Sequence, residues 1–380
     1  MNSDQAAKLR IAVVAISSWF LYKFRLKLLL ALRDAGHDVV AVAPDGPYAQ
    51  RIKDAGIQYR HVALSRTGIN PFTELYSVLS LRRVFRSEGI DTVLSFTPKG
   101  NIYAAFAAGR LPIRIIQTIS GLGRVFVRES LLRRVVTTLY RRAFVRAYRI
   151  LFENRDDRQF FVDRGYVDAG KAERIPGLGV DLVTFKPAAN PSLTKGDGLV
   201  FLLIARLIWE KGLAQYADAA RAIRARHPAM RFQILGQLES NSVSALPKET
   251  LDEWVKSGAI EYLGVADDVR THVEAADCMV LPTYYREGVP RSLMEAAAMG
   301  KPIITTNISG CSDTVTDGVT GFLCRPQDLD DLVAALERFI ALSPAERVEM
   351  GQRGRAKMEA EFDEAFVIGR YLSLVSRAPA

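Results

Sequence analysis

A strand–turn–helix pattern runs through this chain twice, and it constrains the fold more than any other feature. In the first series, short apolar runs read as strands at Arg10–Ile16, Asp38–Ala43, Thr92–Phe96, Arg114–Thr118 and Ile150–Glu153. Helical segments lie between and after them, at residues 20–35, Thr73–Ser87, Ile102–Ala108 and Asp156–Gly165. A stretch of linker composition follows, KPAANPSLTKGDG at 186–198. The second series then begins, with strands at Leu199–Ile204, Arg231–Leu235, Ile260–Leu263, Cys278–Pro282, Pro302–Thr306 and Gly321–Cys324. Its helices are expected at Gly212–Arg226, Asp268–Ala276 (capped by Asp267 or Asp268), Leu329–Leu342 and Pro344–Phe362. Such alternation implies parallel strands with helices on both faces. The reading is therefore α/β, with two doubly wound, Rossmann-like domains at 1–187 and 199–362 and a C-terminal segment at 363–380. Strand carboxyl ends of both domains are expected to face a ligand cleft between them.

The 380 residues are 49% hydrophobic and 24% charged, enough apolar material for two cores and too much for a disordered chain. The net charge of +9 favours an anionic partner: a phosphorylated small molecule, an acidic membrane surface or nucleic acid. The three cysteines, Cys278, Cys311 and Cys324, are odd in number and lack zinc-ligand spacing, which points to a reducing, cytoplasmic setting. Ile11–Ile16 is too short to span a bilayer, and no clear signal-peptide pattern surrounds it.

The stretch TYYREGVPRSLMEAAAMGKPIITT (283–306) carries the most chemistry. Pro290 fits a first helical position, Leu293, Ala296, Ala297 and Met299 give an apolar face, and Gly300 with Pro302 ends the helix. Glu287 then lies on the loop after a strand and Glu295 about one turn into the helix. A helix N-terminus between them suits a diphosphate, while the carboxylates suit sugar hydroxyls. Two glutamates at this spacing are otherwise ordinary solvated residues; the strand-end setting favours a nucleotide-sugar site.

The second domain opens with FLLIARLIWEKG (201–212), in which Arg206 and Lys211 follow a strand and precede a helix, as a diphosphate clamp would. No GxGxxG follows the first strand, where Ser17 and Ser18 stand instead, and no Walker A motif is present. These absences disfavour a dinucleotide oxidoreductase and a P-loop NTPase. Asp156-Asp157 and Asp330-Asp331 read as helix-start charges, so the sequence calls for no metal site. His37 reads as a structural turn residue.

Residues 124–149 (RVFVRESLLRRVVTTLYRRAFVRAYR) alternate arginines with apolar residues, opposed only by Glu129. An anionic bilayer surface and a solvated helix face with packed arginine stems both fit this pattern. Nucleic acid fits less well, because no recognised binding motif accompanies the charge.

EGVPRSLME (287–295) resembles the E-x7-E motif of family 4 glycosyltransferases, retaining enzymes of the GT-B fold. The resemblance extends to ARLIWEKG (205–212), LGVADDV (263–269), DGVTGFL (317–323) and, in the first domain, AGHDVVAVAP (35–44), SFTPKGN (95–101), ISGLG (119–123) and RIPGLGVDLVTFKP (174–187). The sequence is similar to bacterial members that glycosylate undecaprenyl-diphosphate-linked saccharides. The resemblance implies that Arg206 and Lys211 bind the donor diphosphate, Glu287 contacts the donor sugar, Glu295 accepts the ribose hydroxyls, and a helix near 364–376 returns to the first domain. There are departures. Ser17-Ser18 replaces a common glycine pair, leaving Ser18 as the candidate donor contact there. Ser120-Gly121 stands where many members place a histidine, and Asp313 replaces a more usual glutamate.

These features together lead to the expectation of a retaining, metal-independent transferase. It would move a hexose or N-acetylhexosamine from a UDP-sugar to a lipid-linked saccharide, peripherally on the inner face of the cytoplasmic membrane and with no nucleic-acid partner. The alternatives are a sugar-nucleotide epimerase, which lacks a convincing base among four histidines, and an inactive membrane-associated nucleotide-sugar binder.

Overall fold

A computed structural model describes residues 8–64, 70–121, 131–188, 198–239 and 243–376. Two compact units emerge: 1–175 with 365–380, and 176–364. The first unit runs β1 (Arg10–Val14), α1 (Ser18–Asp34), β2 (Asp38–Ala43), α2 (Ala49–Asp54), β3 (Gln58–His61), α3 (Pro71–Ser87), β4 (Thr92–Phe96), α4 (Pro98–Ala108), β5 (Arg114–Ile119), α5 (Leu131–Arg146), β6 (Arg149–Phe152), α6 (Arg155–Asp163) and β7 (Ala172–Arg174). Its strands pair in parallel in the order β3-β2-β1-β4-β5-β6-β7.

The period-two alternation of β1 shows how this sheet is covered. Ala12 and Val14 face a core built from Leu81 and Phe85 of α3, Ile102 of α4, and Tyr140 and Phe144 of α5. Ile11 and Val13 face the opposite core, with Leu21, Leu28 and Leu29 of α1. Burial on both faces explains why the strand is a continuous apolar run. His37 accepts a hydrogen bond from Leu9 N (3.3 Å) at the turn into β2, and burial pulls its pKa down.

The second unit runs β8 (Val200–Ile204), α7 (Leu213–Arg226), β9 (Arg231–Leu235), α8 (Lys248–Lys256), β10 (Glu261–Tyr262), α9 (Arg270–Ala275), β11 (Cys278–Leu281), α10 (Arg291–Ala298), β12 (Ile303–Thr306), β13 (Gly321–Cys324), α11 (Leu329–Ile340) and α12 (Pro344–Glu361). Its parallel sheet has the order β10-β9-β8-β11-β12-β13. The three cysteines are free, buried thiols. Among the described residues, no helix is long and apolar enough to cross a membrane.

The unit boundary falls at Ile175–Pro176, ahead of the expected linker, much of which (189–197) lies outside the described residues. Residues 176–187 pack with the second unit. Val180 N donates to Phe362 O (2.8 Å), Glu364 N donates to Val180 O (3.1 Å), and the Arg355 guanidinium donates to Phe185 O (2.7 Å). Two helix starts also differ from expectation. Pro290 is the N-cap of α10, with extended backbone, and α10 begins one residue later. Neither Asp267 nor Asp268 is the N-cap of α9; Val269 is, and Asp268 instead accepts from Arg270 N (3.0 Å).

The final helix, α13 (Glu364–Ser376), belongs to the first unit from Ala365 onward. Val367, Tyr371, Leu374 and Val375 complete the core that covers Ile11 and Val13. The Tyr371 hydroxyl lies 2.7 Å from Thr118 Oγ1, and its ring centroid lies 6.0 Å from that of Phe96. Tyr371→Ala is therefore expected to cost about 3–5 kcal/mol in urea denaturation. A loss below about 1 kcal/mol would mean that α13 contributes little to this core.

Candidate active site

The order of the second sheet creates a switch point. From β8 the chain moves to β9 and β10, then returns to β11 on the other side of β8. The loops after β8 and β11 therefore diverge at the strand carboxyl ends, where open α/β sheets bind ligands. Both expected motifs stand on these two loops.

The loop after β8 carries Arg206, whose side chain is half exposed and 3.7 Å from Glu239. It then tightens into a 3-10 turn, Trp209–Lys211, and enters α7 through Gly212 at φ +76°. A methyl group at Gly212 would sit 2.0 Å from Pro282 O, so only glycine permits this approach to the second loop. The Glu210 carbonyl joins the loops further, accepting from Thr283 Oγ1 (2.8 Å) and Tyr284 N (3.0 Å). Ser244 donates to the Glu210 carboxylate at 2.6 Å.

Across this junction, Lys211 Nζ donates to Glu287. The two side chains are only 11% and 14% exposed, so water screens the pair weakly. The Lys211 ammonium also lies 5.6 Å from the ring centroid of Tyr285. A third loop supports Glu287 from behind. Gly310, at φ +80°, approaches so closely that a methyl group there would lie 1.4 Å from Gly288 O. Thr306 Oγ1 donates to Thr283 O at 2.5 Å. Asp313 lies just beyond, in the 3-10 turn Ser312–Thr314.

Glu295 sits in α10, one turn after Arg291, whose Nε is 2.5 Å from its carboxylate. Burial raises the Glu295 pKa above the usual value, Arg291 opposes the rise, and Asp268 adds to it. The second unit therefore brings Lys211 and Glu287 into contact and sets Glu295 on the helix that follows the Glu287 loop.

Ser18 departs from expectation. It is the first residue of α1, in the first unit, and is 2% exposed. Its hydroxyl lies near Tyr59, whose own hydroxyl donates to Pro44 O (2.6 Å), and a methyl group at Gly46 would lie 2.7 Å from it. These neighbours keep the Ser18 hydroxyl from solvent; Ser17 is the helix cap, accepting from Phe20 N (3.2 Å).

Two residues of the first unit, Arg25 in α1 and Glu153 after β6, escaped the sequence reading. The Arg25 guanidinium, 2% exposed, lies 4.0 Å from the ring centroid of Phe96 and 3.4 Å from Glu153. Glu153, 3% exposed, follows β6 and accepts from Ser120 Oγ (2.7 Å), which follows β5. The available signal was a carboxylate placed directly after the apolar run of β6.

The Glu295 shift has a stability consequence. A carboxyl whose folded pKa is raised binds protons more tightly in the folded state, so its contribution to stability falls as pH rises from the ordinary glutamate value through the raised one. The stability of Glu295→Gln relative to the parent is expected to increase between pH 4 and pH 7 in thermal melts at roughly half-unit steps. A pH-independent difference would contradict the burial argument.

The family model "Glycosyl transferases group 1" matches residues 186–357, and "Glycosyl transferase 4-like domain" matches residues 24–177. The chain is 27% identical to N,N'-diacetylbacillosaminyl-diphospho-undecaprenol alpha-1,3-N-acetylgalactosaminyltransferase of Campylobacter jejuni, over 97% of this chain and 99% of that protein. It is 29% identical to UDP-Gal:alpha-D-GlcNAc-diphosphoundecaprenol alpha-1,3-galactosyltransferase of Escherichia coli, over 77% of each. A crystal structure of a glycosyltransferase from Rickettsia africae superposes with a TM-score of 0.79 at 16% identity, covering 97% of both chains. The two parallel-sheet units and both family matches establish that this chain is a glycosyltransferase of the GT-B fold, with a 4-like domain followed by a group 1 domain.

Proposed function

We propose that the enzyme transfers a hexose or N-acetylhexosamine from a UDP-sugar to a membrane lipid-linked saccharide, with retention at the anomeric carbon and without a metal ion. The Lys211–Glu287 contact at the switch point carries this reading. It holds a cation for phosphate and a carboxylate for sugar hydroxyls side by side, each partly desolvated. The names of the relatives support the substrate classes, because both are transferases acting on undecaprenol-diphosphate-linked sugars and one is named for UDP-Gal.

In this reading Arg206 and Lys211 neutralise the donor diphosphate, Glu287 orients the hexose, and Glu295 receives the ribose hydroxyls. The bond between the anomeric carbon and the phosphate oxygen breaks as the acceptor hydroxyl forms its new bond from the same face. The acceptor proton passes to the departing phosphate oxygen, whose growing charge the two cations stabilise. The enzyme works peripherally on the inner face of the cytoplasmic membrane, held partly by the exposed arginines 134, 141, 142 and 146 of α5. Arg124, Arg128, Glu129 and the side chain of Arg133 lie outside the described residues.

The test is Glu287→Ala, assayed by mass spectrometry for glycosylated lipid-linked product and by calorimetry for UDP. Transfer should fall about 10²–10³-fold while UDP binding persists. Retained turnover would remove Glu287 from the reaction, and an epimerised donor in the absence of acceptor would replace transfer with isomerisation.

A further inference from the structure

The outward face of α3 is apolar where a solvated helix would be polar. Phe72 is 83% exposed, Tyr76 62%, Leu75 58% and Leu79 53%. Their spacing, i, i+3, i+4 and i+7, puts them on one stripe. The stripe continues into Arg83 and Arg86, both exposed, at i+11 and i+14. The helix is therefore apolar outward along its first half and basic outward along its second. Its inward face buries Ser77, Leu81 and Phe85, with Val78 and Val84 packed against the same core.

The acidic residues of this region are turned away from the stripe and neutralised. Glu74 accepts from Lys99 (2.8 Å) and from the Tyr103 hydroxyl, both on α4. Glu88, at the helix end, accepts from Arg60 (2.6 Å) and from Arg10. What α3 leaves exposed is thus apolar, cationic or, at Thr73 and Ser87, an uncharged hydroxyl. The neighbouring surface has the same character. α3, α4 and α5 cover the same face of the sheet, with α4 in contact with both of the others. Phe106 of α4 is 36% exposed and Val145 of α5 75%, beside the exposed arginines of α5.

We propose that α3 is a membrane-insertion element that docks the enzyme on an anionic bilayer. Phe72, Leu75, Tyr76 and Leu79 enter the headgroup–acyl boundary, and Arg83 and Arg86 stay at the level of the lipid phosphates. An interfacial helix requires this arrangement of an apolar stripe with cations beside it and no uncompensated carboxylate. An aromatic pair in the stripe suits the interfacial zone. Charge complementarity selects an anionic bilayer as the occupant. The proposal deepens the reading of a lipid-linked acceptor and rests on it for its purpose. It places the insertion on α3, with the arginines of α5 as electrostatic support.

The test uses the full chain and vesicles of phosphatidylcholine with or without phosphatidylglycerol, in flotation assays without donor. The parent should partition onto the mixed vesicles. Phe72→Ser/Tyr76→Ser/Leu79→Ser should partition at least roughly tenfold less, with an unchanged melting temperature and unchanged UDP binding. Arg83→Gln/Arg86→Gln should lose binding mainly to the phosphatidylglycerol vesicles. Tyr76→Trp should give a blue-shifted fluorescence difference spectrum with vesicles and quenching by brominated acyl chains; it reads insertion directly even if the triple variant misfolds. Parent-like partitioning of a folded triple variant, no quenching, or a parent that ignores vesicles would each overturn the proposal. So would a parent dimer that the triple variant splits with no effect on lipid, since a second copy would then cover the stripe. A protein that partitions as expected yet binds no UDP-sugar would sink the donor assignment and leave this one standing.

Discussion

The ion pair between Lys211 and Glu287 is the contact on which the second unit's site depends. It joins loops that leave adjacent strands in different directions. Breaking a pair buried to this degree costs about 3–5 kcal/mol, because the remaining charge keeps its desolvation penalty without its partner. Close backbone packing fixes the pair in place. Gly212 lets its loop reach Pro282 O, and Gly310 lets a third loop reach Gly288 O. A cation and a carboxylate held this rigidly need little rearrangement when charge develops nearby, which is the property that electrostatic catalysis requires.

The first unit has its own buried pair, built differently. Arg25 lies against the ring of Phe96 and reaches Glu153, which in turn accepts from Ser120. Arg25 and Glu153 pair with each other, as their low exposure demands, while the Arg25 Nε is buried without a hydrogen-bond partner among the described residues. Tyr371 of α13 belongs to the same neighbourhood, 5.9 Å from the Arg25 guanidinium, so the last helix helps to wall in this charge. The same unit carries exposed apolar residues on α3, and these have no comparable function inside the fold.

Much of this was legible in the sequence, for specific reasons. Strands buried on both faces, such as β1 and β11, are unbroken apolar runs, and the residues just beyond them mark the ligand side of the sheet. That position singled out Arg206, Lys211, Glu287 and Glu295. Their partners were not legible. Lys211 and Glu287 are 76 positions apart, and Arg25 and Glu153 are 128 apart, so only the strand order brings them together. The strand β3, QYRH with one buried residue, was passed over because an edge strand has no apolar run to read. The burial of Ser18 was not legible either, because a serine after a strand looks open to a ligand until Tyr59 and Gly46 are packed beside it. The α3 stripe was not legible, since periodicity gives a helix two faces without saying which is inward.

Calorimetry of UDP-, GDP- and dTDP-sugars against the parent and an Arg206→Ala/Lys211→Ala variant tests the central claim most directly, with UDP-N-acetylhexosamines as the first donors. The account predicts tight binding of one nucleotide class, with UDP expected, and its loss in the double variant while the fold is kept. Unchanged binding in the variant would contradict it, because the donor diphosphate would then be held somewhere other than the switch point of the second sheet.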